Sequence, residues 1–176
     1  VAEGAAGAQG HGTVIVAEEQ NAGRGRRGRD WSSPRGEGIF FSILLRPDMN
    51  PANASMLTLV KALAVAKGIS KSTGLEPAIK WPNDVVINGR KIVGILTEMS
   101  AQIDYVNHIV VGSGINVHQK NFPKELAAKA TSLDMEMSRL GKEDRIYRAA
   151  VLAAVLEEFE KYYRTFMQTQ DLSMLR

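Results

Sequence analysis

Residues 23–29 form a cationic, glycine-rich segment that constrains this sequence more than any other feature. They comprise four arginines and three glycines. Because glycine weakens both helices and strands, and no apolar residue recurs between Ala22 and Trp31, the segment is predicted to be a loop. It lies between two predicted strands, residues 13–18 and 38–45. Flexible backbone with fixed positive charge is suited to bind a phosphate, a carboxylate or a nucleic acid.

The excess positive charge of the chain is confined to this segment. The 176 residues carry 22 basic and 19 acidic side chains, for a net charge of +3. Without the four arginines of residues 23–29, the remaining 18 basic and 19 acidic side chains leave a net charge of −1. A protein that coats nucleic acid usually spreads its basic residues along a face, so this distribution favours a local anion site over a nucleic-acid partner.

Composition excludes several classes of protein and of site. The 44% apolar and 23% charged residues are ordinary for one globular domain with a hydrophobic core. There is no cysteine, which excludes a disulfide framework, a thiolate metal site and a cysteine nucleophile, and fits a reducing, cytoplasmic location. No run approaches the roughly 18 apolar residues of a membrane span, so no membrane partner is expected. The three histidines lack metal-site spacing, and no serine has evident triad partners.

Apolar periodicity predicts several strands and two principal helices. Strands are predicted at residues 13–18, 38–45, 78–81, 85–87, 91–98 and 105–115. Asn88-Gly89 is the strongest short hairpin signal. Helices are predicted from Pro51 to about residue 73 and over residues 143–167, with one short helix near Pro123. The order indicates an α+β fold, in which a mainly antiparallel mixed sheet is covered on one face by helices.

Residues 80–84, Lys-Trp-Pro-Asn-Asp, form a second motif with a chemical interpretation. In the structural interpretation, the proline and the asparagine make a turn between two strands and Trp81 packs against the fold. In the functional interpretation, Asn83 and Asp84 stand at a loop tip and hold a hydroxyl group or a hydrated metal ion. Both interpretations stay open for this motif alone.

Lys91 and three strand glycines complete the candidate site. Lys91 opens the strand after the hairpin turn, where a lysine is usually only solvated. Gly94 lies inside that strand and indicates the close approach of a ligand or of another backbone. Gly112 and Gly114 end the next strand, either as a bulge or as backbone exposed to a ligand. They do not form a dinucleotide fingerprint, because the third glycine and a directly following helix are absent.

The ordered motifs of this chain resemble those of the catalytic domain of biotin protein ligases. The resemblance rests on residues 23–29, 80–84, 91–98, 112–116, 122–126 and 130–133, in this order. It implies a class II synthetase-like biotin/lipoate ligase catalytic domain over residues 1–170, with residues 171–176 beginning a linker to a small C-terminal β-barrel. The family's Asp-Ser-Thr segment, which helps to bind biotin, has no match in residues 1–12.

The resemblance also implies an activity. Enzymes of this family join biotin to AMP from ATP, accompanied by Mg²⁺, and then transfer biotin to one lysine of a biotin carboxyl carrier protein. Such chemistry needs no cysteine, histidine or serine nucleophile, because positioning and charge compensation supply much of the catalysis. A homodimer is compatible with the family. The alternatives are a lipoate or octanoyl ligase or transferase of the same architecture, and a nucleic-acid-binding module that uses the arginine loop.

By the same resemblance, Lys91 lies at the biotin carboxylate and the α-phosphate, with Arg24 and Arg26 as further catalytic residues. We expect Trp81 or Ile95 to supply an apolar wall for the ring and chain of biotin. Asp84 is the candidate metal ligand. The arginine loop is expected to be disordered when empty and to fold over biotin and its adenylate. The implied ligand-binding positions are Gln20, Gly23, Arg24, Gly25, Arg26, Arg27, Trp31, Asn83, Lys91, Gly94, Ile95, Gly112, Gly114 and Asn116.

Overall fold

A single six-stranded sheet forms the framework of the chain. The computed structural model describes residues 9–142 and 144–175. The strands are β1 Thr13–Ala17, β2 Gly38–Leu45, β3 Ala78–Lys80, β4 Asp84–Ile87, β5 Arg90–Ala101 and β6 Val106–Asn116. They are ordered β1-β2-β6-β5-β4-β3 across the sheet. Every neighbouring pair is antiparallel, which confirms the mainly antiparallel character expected from the sequence; none of these six strands pairs in parallel with its neighbour. All the predicted strands are confirmed, with ends shifted by three residues at most.

Among the described residues, three α-helices accompany the sheet: α1 Met56–Thr73, α2 Leu133–Arg139 and α3 Arg148–Thr169. As the sequence predicts, α1 and α3 pack together over one face of the sheet and bury the main hydrophobic core. Their contact is close because Gly68 has no side chain. A Cβ at this position would stand 2.6 Å from the Cα of Val155.

The alternation of side chains along β2 separates the core from the opposite face. Ile39, Phe41 and Ile43 point towards the helices and are buried in the main core. Phe40 and Ser42 therefore point the other way, as alternate residues of a strand do. On that side residues 19–31 lie over the sheet and enclose a cavity with it.

One of the two predicted capping residues, Gly74, lies at an end of α1. The Asn50 side chain accepts a hydrogen bond from the Ala52 N–H at 2.9 Å and begins a 3₁₀ turn, Pro51–Asn53, before the helix proper. Gly74 takes the left-handed conformation at the C-terminal end, with φ of 67°, and its N–H donates to the Ser70 carbonyl. The cap at Gly74 confirms the sequence prediction, since glycine adopts this conformation without steric cost. The helix start predicted at Pro51 is the 3₁₀ turn instead, and α1 begins at Met56, after Ser55, whose side chain makes no capping bond.

The turn at Asn88-Gly89 joins β4 to β5 as predicted. Its two residues have φ of 50° and 75°. Both values lie in the left-handed region, which a type I′ hairpin requires and which Asn-Gly favours. The turn therefore places Lys91 at the beginning of β5.

The last helix begins later than predicted. The sequence pattern predicts a helix over residues 143–167, whereas α3 spans Arg148–Thr169. Glu143 lies outside the described residues. Tyr147, directly before α3, has extended backbone. Ile146 reaches the core from this non-helical segment, so its place in the apolar pattern does not require a helix. The stripe itself is confirmed, because α3 buries Val151, Ala154, Val155, Phe159 and Phe166.

The short helix predicted near Pro123 lies elsewhere in the chain. Residues 124–129 form turns, in which the Pro123 carbonyl accepts from two following N–H groups. The helix is α2, which begins after Ser132. The Ser132 hydroxyl accepts from the Met135 N–H at 3.3 Å, and this N-cap favours a helix start there.

One helical stretch is apolar enough to span a membrane by length and composition, contrary to the prediction that no run is. This stretch is Pro51–Thr73, with a mean hydropathy of 1.2. Within the fold, 61% of its apolar window is buried. Such burial is typical of the central helix of a protein core, which is the position α1 occupies.

Candidate active site

A cavity of about 450 Å³ lies between residues 19–31 and the face of the sheet opposite α1 and α3. Its walls combine apolar side chains, charged side chains and strand backbone. It brings together most of the predicted ligand positions, although these are far apart in the sequence. The predicted positions that line the cavity are Gln20, Arg24, Gly25, Arg26, Trp31, Asn83, Lys91, Gly94, Ile95, Gly112 and Gly114.

Residues 23–31 form a small hairpin, which we call the arginine hairpin, instead of the irregular loop that the sequence predicts. Arg24 and Asp30 make an antiparallel bridge, and the Gly25 N–H donates to the Arg29 carbonyl at 2.6 Å. A 3₁₀ turn, Arg26–Gly28, closes its tip. Main-chain pairing of this kind needs no apolar side chains, so the composition of the segment could not reveal it. The disorder expected of this segment without a ligand stays a prediction.

Two further residues of the arginine hairpin shape its backbone and do not line the cavity. Gly23 lies under the returning chain: its carbonyl accepts from the Trp31 N–H at 2.9 Å, and a Cβ on Gly23 would stand 2.3 Å from the Trp31 carbonyl oxygen. Arg27 sits at the tip with a left-handed φ of 60°. The ligand contacts implied for Gly23 and Arg27 stay predictions.

Trp31 lies on a floor made of two glycines. Gly94 and Gly114 face each other across β5 and β6. A Cβ on Gly94 would stand 2.6 Å from Cζ3 of the indole, and a Cβ on Gly114 would stand 2.4 Å from its Nε1. The sequence predicted the close approach of a ligand or of another backbone at Gly94; the approaching group is instead the side chain of Trp31. Nε1 is buried and has no hydrogen-bond partner among the described residues.

Lys91 is the second residue of β5, and its side chain lines the cavity. Its Nζ lies 2.6 Å from Oδ1 of Asp84 and 5.2 Å from the centre of the Trp31 ring. A register shift places Val86 opposite Lys91 but Val85 opposite Val93, so that β5 bulges between them. A bulge commonly re-aims a side chain next to a site.

Segment 129–131 supports Lys91 from its other side. The Lys91 N–H donates to the Lys129 carbonyl at 2.7 Å, and its carbonyl accepts from the Thr131 N–H at 2.9 Å. Lys91 and Ala130 thereby form a single parallel bridge outside the six strands. Both backbone polar groups of Lys91 are used in this contact.

Arg24 pairs with Glu98 across the cavity. The Arg24 Nη2 atom lies 3.4 Å from Glu98 Oε1, and both side chains are partly exposed. Glu98 was not among the predicted site residues. It follows Gly94 by four positions in β5, and the two-residue period of a strand would have placed it on the same face.

Gln20 and Asn83 enter the cavity with one polar group already engaged. The Gln20 Nε2 atom donates to the Ser33 hydroxyl at 2.8 Å. Asn83 and Ile95 exchange two hydrogen bonds, since the Asn83 Nδ2 donates to the Ile95 carbonyl and the Ile95 N–H donates to the Asn83 carbonyl. These bonds fix both side chains and leave the amide oxygen of Asn83 available to a ligand.

Asn116, in contrast, lies behind the cavity wall and does not line it. Its Nδ2 donates to the Thr131 carbonyl at 3.1 Å, and its Oδ1 accepts from the Gln119 side chain at 3.3 Å. It therefore anchors the chain after β6 to segment 129–131, and its implied contact with the adenylate stays a prediction.

Trp81 and Asp84 are also placed away from the expected contacts. Trp81 is 76% exposed and does not line the cavity, so the expected apolar wall comes from Ile95 together with Ile15 and Phe40. Asp84 pairs with Lys91, and no group of three metal-ligating side chains gathers in the part of the chain that the structure describes. The metal-ligand role of Asp84 stays a prediction.

Comparison with protein families identifies the group to which the chain is related. A family model described as the biotin/lipoate A/B protein ligase family matches residues 7–116, which is more than half of the chain. The chain belongs to the biotin/lipoate A/B protein ligase family. The matched region includes the arginine hairpin, Lys91 and both floor glycines.

Curated members of this ligase family align with most of the chain. The bifunctional ligase/repressor BirA of Bacillus subtilis (strain 168) is 47% identical over 158 residues, covering 89% of this chain and 47% of that protein. The biotin--[acetyl-CoA-carboxylase] ligase of Mycobacterium tuberculosis is 39% identical over 137 residues, covering 76% of this chain and 49% of that protein. The chain spans about half the length of the curated relatives it matches. The domain limit at residue 170 and the linker at residues 171–176 stay predictions.

Solved structures of the ligase family share the fold. The biotin protein ligase from Aquifex aeolicus in complex with biotin and ATP matches with a TM-score of 0.76 and 34% identity, covering 92% of this chain and 64% of that one. The biotin protein ligase from Leishmania major in complex with biotinyl-5-AMP matches with a TM-score of 0.71 at 22% identity, which bears on the fold alone. These matches confirm the predicted α+β fold of the class II synthetase-like ligases and the resemblance inferred from the motifs.

Proposed function

We propose that this chain is the catalytic part of a biotin protein ligase. In the proposed reaction, biotin and ATP form biotinyl-5′-AMP, and the biotinyl group then passes to a lysine of a biotin carboxyl carrier protein. One observation carries the proposal: Lys91, Arg24 and Arg26 line the same cavity as the glycine floor under Trp31. Similarity to proteins named for this activity, or bound to biotin and ATP, supports it.

The activation step needs cations because two anions react. An oxygen of the biotin carboxylate attacks the α-phosphorus of ATP; a new O–P bond forms, and the bond to pyrophosphate breaks. The ammonium group of Lys91 offsets the repulsion between the carboxylate and the α-phosphate, and the guanidinium groups of Arg24 and Arg26 contribute further positive charge. Lys91 and Asp84 are 33% and 26% exposed, so a ligand carboxylate or phosphate can replace Asp84 as the partner of Lys91.

The other parts of the ligands find matching chemistry in the cavity. The ureido ring of biotin offers donors and acceptors, which Gln20 can meet, and its apolar ring can pack against Ile95. The adenylate is assigned to the region of Trp31 and Asn83, which both line the cavity. Glycine at positions 94 and 114 makes room for the Trp31 ring against the strand backbone.

In the transfer step, the amine of the carrier lysine attacks the acyl carbon of biotinyl-5′-AMP. An amide bond forms, the bond between the acyl carbon and the phosphate oxygen breaks, and AMP leaves with its phosphate charge. The amine loses its proton to solvent. The cations that bind the α-phosphate in the first step stabilise the same phosphate as it leaves in the second.

Mg²⁺ is proposed to arrive with ATP. Its usual ligands in such sites are phosphate oxygens, waters and one or two carboxylates, and it is rarely held by protein groups alone. The absence of a three-ligand cluster among the described residues fits an ion carried by the nucleotide. Asp84 is the candidate carboxylate, and the ion would offset phosphate charge. A cytoplasmic location and a homodimer complete the proposal.

Two assays on the full-length protein test this function. Biotin-dependent exchange of labelled pyrophosphate into ATP reports adenylate formation, and labelled biotin on a carrier domain reports transfer. Each assay is repeated with lipoate in place of biotin. Activity with biotin in both assays is expected. Activity with lipoate alone would support the lipoate alternative, and inactivity with both acids would refute the proposed function.

A further inference from the structure

Glu136 is a buried carboxylate that the proposed chemistry does not use. It lies in α2 with 1% of its side chain exposed. Arg90 lies 3.3 Å from its Oε1 atom, and Arg139 contacts the same oxygen. Thr131 donates to Oε1 at 2.5 Å, and Asn88 donates to Oε2 at 3.2 Å. The buried charge is therefore satisfied by two guanidinium groups, a hydroxyl and an amide.

The partners of Glu136 come from separate parts of the chain. Asn88 belongs to the turn between β4 and β5, and Arg90 is the first residue of β5. Thr131 ends the segment that pairs with Lys91, and Arg139 ends α2. One carboxylate thus joins the hairpin turn, segment 129–131 and α2.

Two of the partners of Glu136 adjoin Lys91, one in the sequence and one by a backbone hydrogen bond. Arg90 precedes Lys91 directly, and Thr131 donates its N–H to the Lys91 carbonyl. The bulge after Lys91 interrupts the regular pairing of β4 with β5. Since a bulge loosens the ladder where it occurs, the added pairing with segment 129–131 fixes the backbone of Lys91, and Glu136 holds that segment against the turn.

We propose that Glu136 is a positioning residue for Lys91 in the activation step. The inference rests on the proposed function, in which the Lys91 ammonium meets the biotin carboxylate and the α-phosphate. Glu136 contacts neither the cavity nor the reacting groups; it holds the backbone on both sides of Lys91. Displacement of a catalytic group by about 1 Å can cost on the order of 100-fold in rate, so this support contributes to catalysis.

A substitution on α2 with a matched control tests the inference in the full-length protein. Glu136→Gln keeps the size of the side chain but removes the charge that faces Arg90 and Arg139. Asp134→Asn makes the same change two residues away on α2, where Asp134 pairs with the partly exposed His118. Single-turnover adenylate formation is expected to fall about tenfold in Glu136→Gln and to stay within about twofold in Asp134→Asn.

The decisive measurement is the coupling between Glu136 and Lys91. In a Lys91→Ala background, Glu136→Gln is expected to change the adenylation rate less than about twofold, because its effect acts through Lys91. A tenfold loss in both backgrounds, or no loss in either, would overturn the inference. If Glu136→Gln does not fold, Thr131→Val removes one hydrogen bond to Glu136 and is expected to show the same coupling with a loss of about threefold.

A second readout does not depend on activity. Competitive acetylation with mass spectrometry measures the reactivity of the Lys91 amine relative to that of Lys67, which is exposed on α1. Glu136→Gln is expected to raise the relative labelling of Lys91 at least about threefold as its contact with Asp84 loosens, and unchanged labelling would contradict the positioning role. If the wild-type protein shows no biotin-dependent exchange, the proposed function fails, whereas the labelling still tests whether Glu136 positions Lys91.

Discussion

The indole of Trp31 lies directly against the backbone of Gly114, whose added Cβ would stand 2.4 Å from Nε1 of the ring. Gly94, its partner across the strands, meets the same ring. Gly112 lies two residues before Gly114 on the same face of β6, but a Cβ there would meet its neighbours at an ordinary 3.5 Å. The requirement for glycine therefore belongs to the floor under Trp31 and not to the strand as a whole.

Gly114→Ala is expected to raise the KM for ATP at least about tenfold, because the added methyl group displaces the Trp31 ring from the floor. Gly112→Ala adds the same methyl group without a clash, and the expected increase is about twofold. Pyrophosphate exchange at saturating biotin gives both constants, and thermal unfolding reports whether each variant folds. Equal changes in KM for the two substitutions would show that the contact of Trp31 with Gly114 does not contribute to ATP binding.

Lys91→Ala is expected to lower the rate of adenylate formation by about 10² to 10³-fold, because it removes a cation from the reacting anions. The free energy of unfolding is expected to fall by less than about 1 kcal/mol, since the lost pair with Asp84 is partly exposed. Lys80→Ala, on β3, which β4 separates from β5, is the control. Single-turnover kinetics and urea unfolding measure the two quantities. A large loss of stability with a small loss of rate would identify Lys91 as a structural residue.

Lys61→Met is expected to stabilise the fold. Lys61 is completely buried in α1, its Nζ has no hydrogen-bond partner among the described residues, and the rings of Phe41 and Phe159 lie 3.9 and 4.7 Å from Nζ. Burial lowers the pKa of Lys61 well below its ordinary value of 10.5. The unfolded chain therefore binds this proton more readily, and the wild-type fold loses stability as the pH falls below about 10.5.

The gain from Lys61→Met is expected to be about 1 to 3 kcal/mol at pH 7, as for the removal of an unsatisfied buried donor. It should shrink as the pH approaches 10.5, where the unfolded lysine also becomes neutral. Urea unfolding at pH 7 and pH 10 measures the difference, with Lys67→Met on the exposed face of α1 as the control. A gain independent of pH would mean that protonation of Lys61 does not affect the free energy of unfolding.

Glu98→Gln is expected to strengthen the binding of biotinyl-5′-AMP by about two- to fivefold, because the ligand no longer competes with Glu98 for Arg24. The gain should decrease at high ionic strength, since the pair is partly exposed and screened by salt. Glu18→Gln breaks the pair with Arg148 outside the cavity and serves as the control. Isothermal titration at low and high salt provides the test. Weaker binding in Glu98→Gln would assign Glu98 a direct contact with the ligand.

Local patterns predicted the parts of the structure that depend on neighbouring residues. The short apolar run of β2 and the Asn88-Gly89 turn are local, and both were predicted correctly. The pairing inside the arginine hairpin joins main-chain groups, so a sequence without apolar periodicity could not show it. The short helix was predicted in the wrong place because proline is a common first residue of a helix, whereas the position of Ser132 depends on the fold. Its hydroxyl donates to the distant Gln119 carbonyl and accepts from the Met135 N–H.

The candidate site shows the same division. Gly94 was found from its unusual place inside a strand, and its role depends on one close contact. Asn116 was assigned to the ligand by resemblance, but its amide bonds Thr131, a partner that becomes a neighbour only after the chain folds back. Glu136 acts through distant partners in the same way, and nothing in the sequence around it indicates this role.

The arginine hairpin is held together by contacts between residues that are close in sequence, from Gly23 to Trp31 and from Gly25 to Arg29. A structure closed by such short loops can open and re-form in about 1–10 μs, without disturbing the sheet beneath it. A typical enzyme turns over about ten times per second, which is slower by several orders of magnitude. On these timescales, opening of the hairpin is not expected to limit the rate. Because Arg24, Arg26 and Trp31 belong to one hairpin, its opening would take both cations and the aromatic ring out of the cavity together.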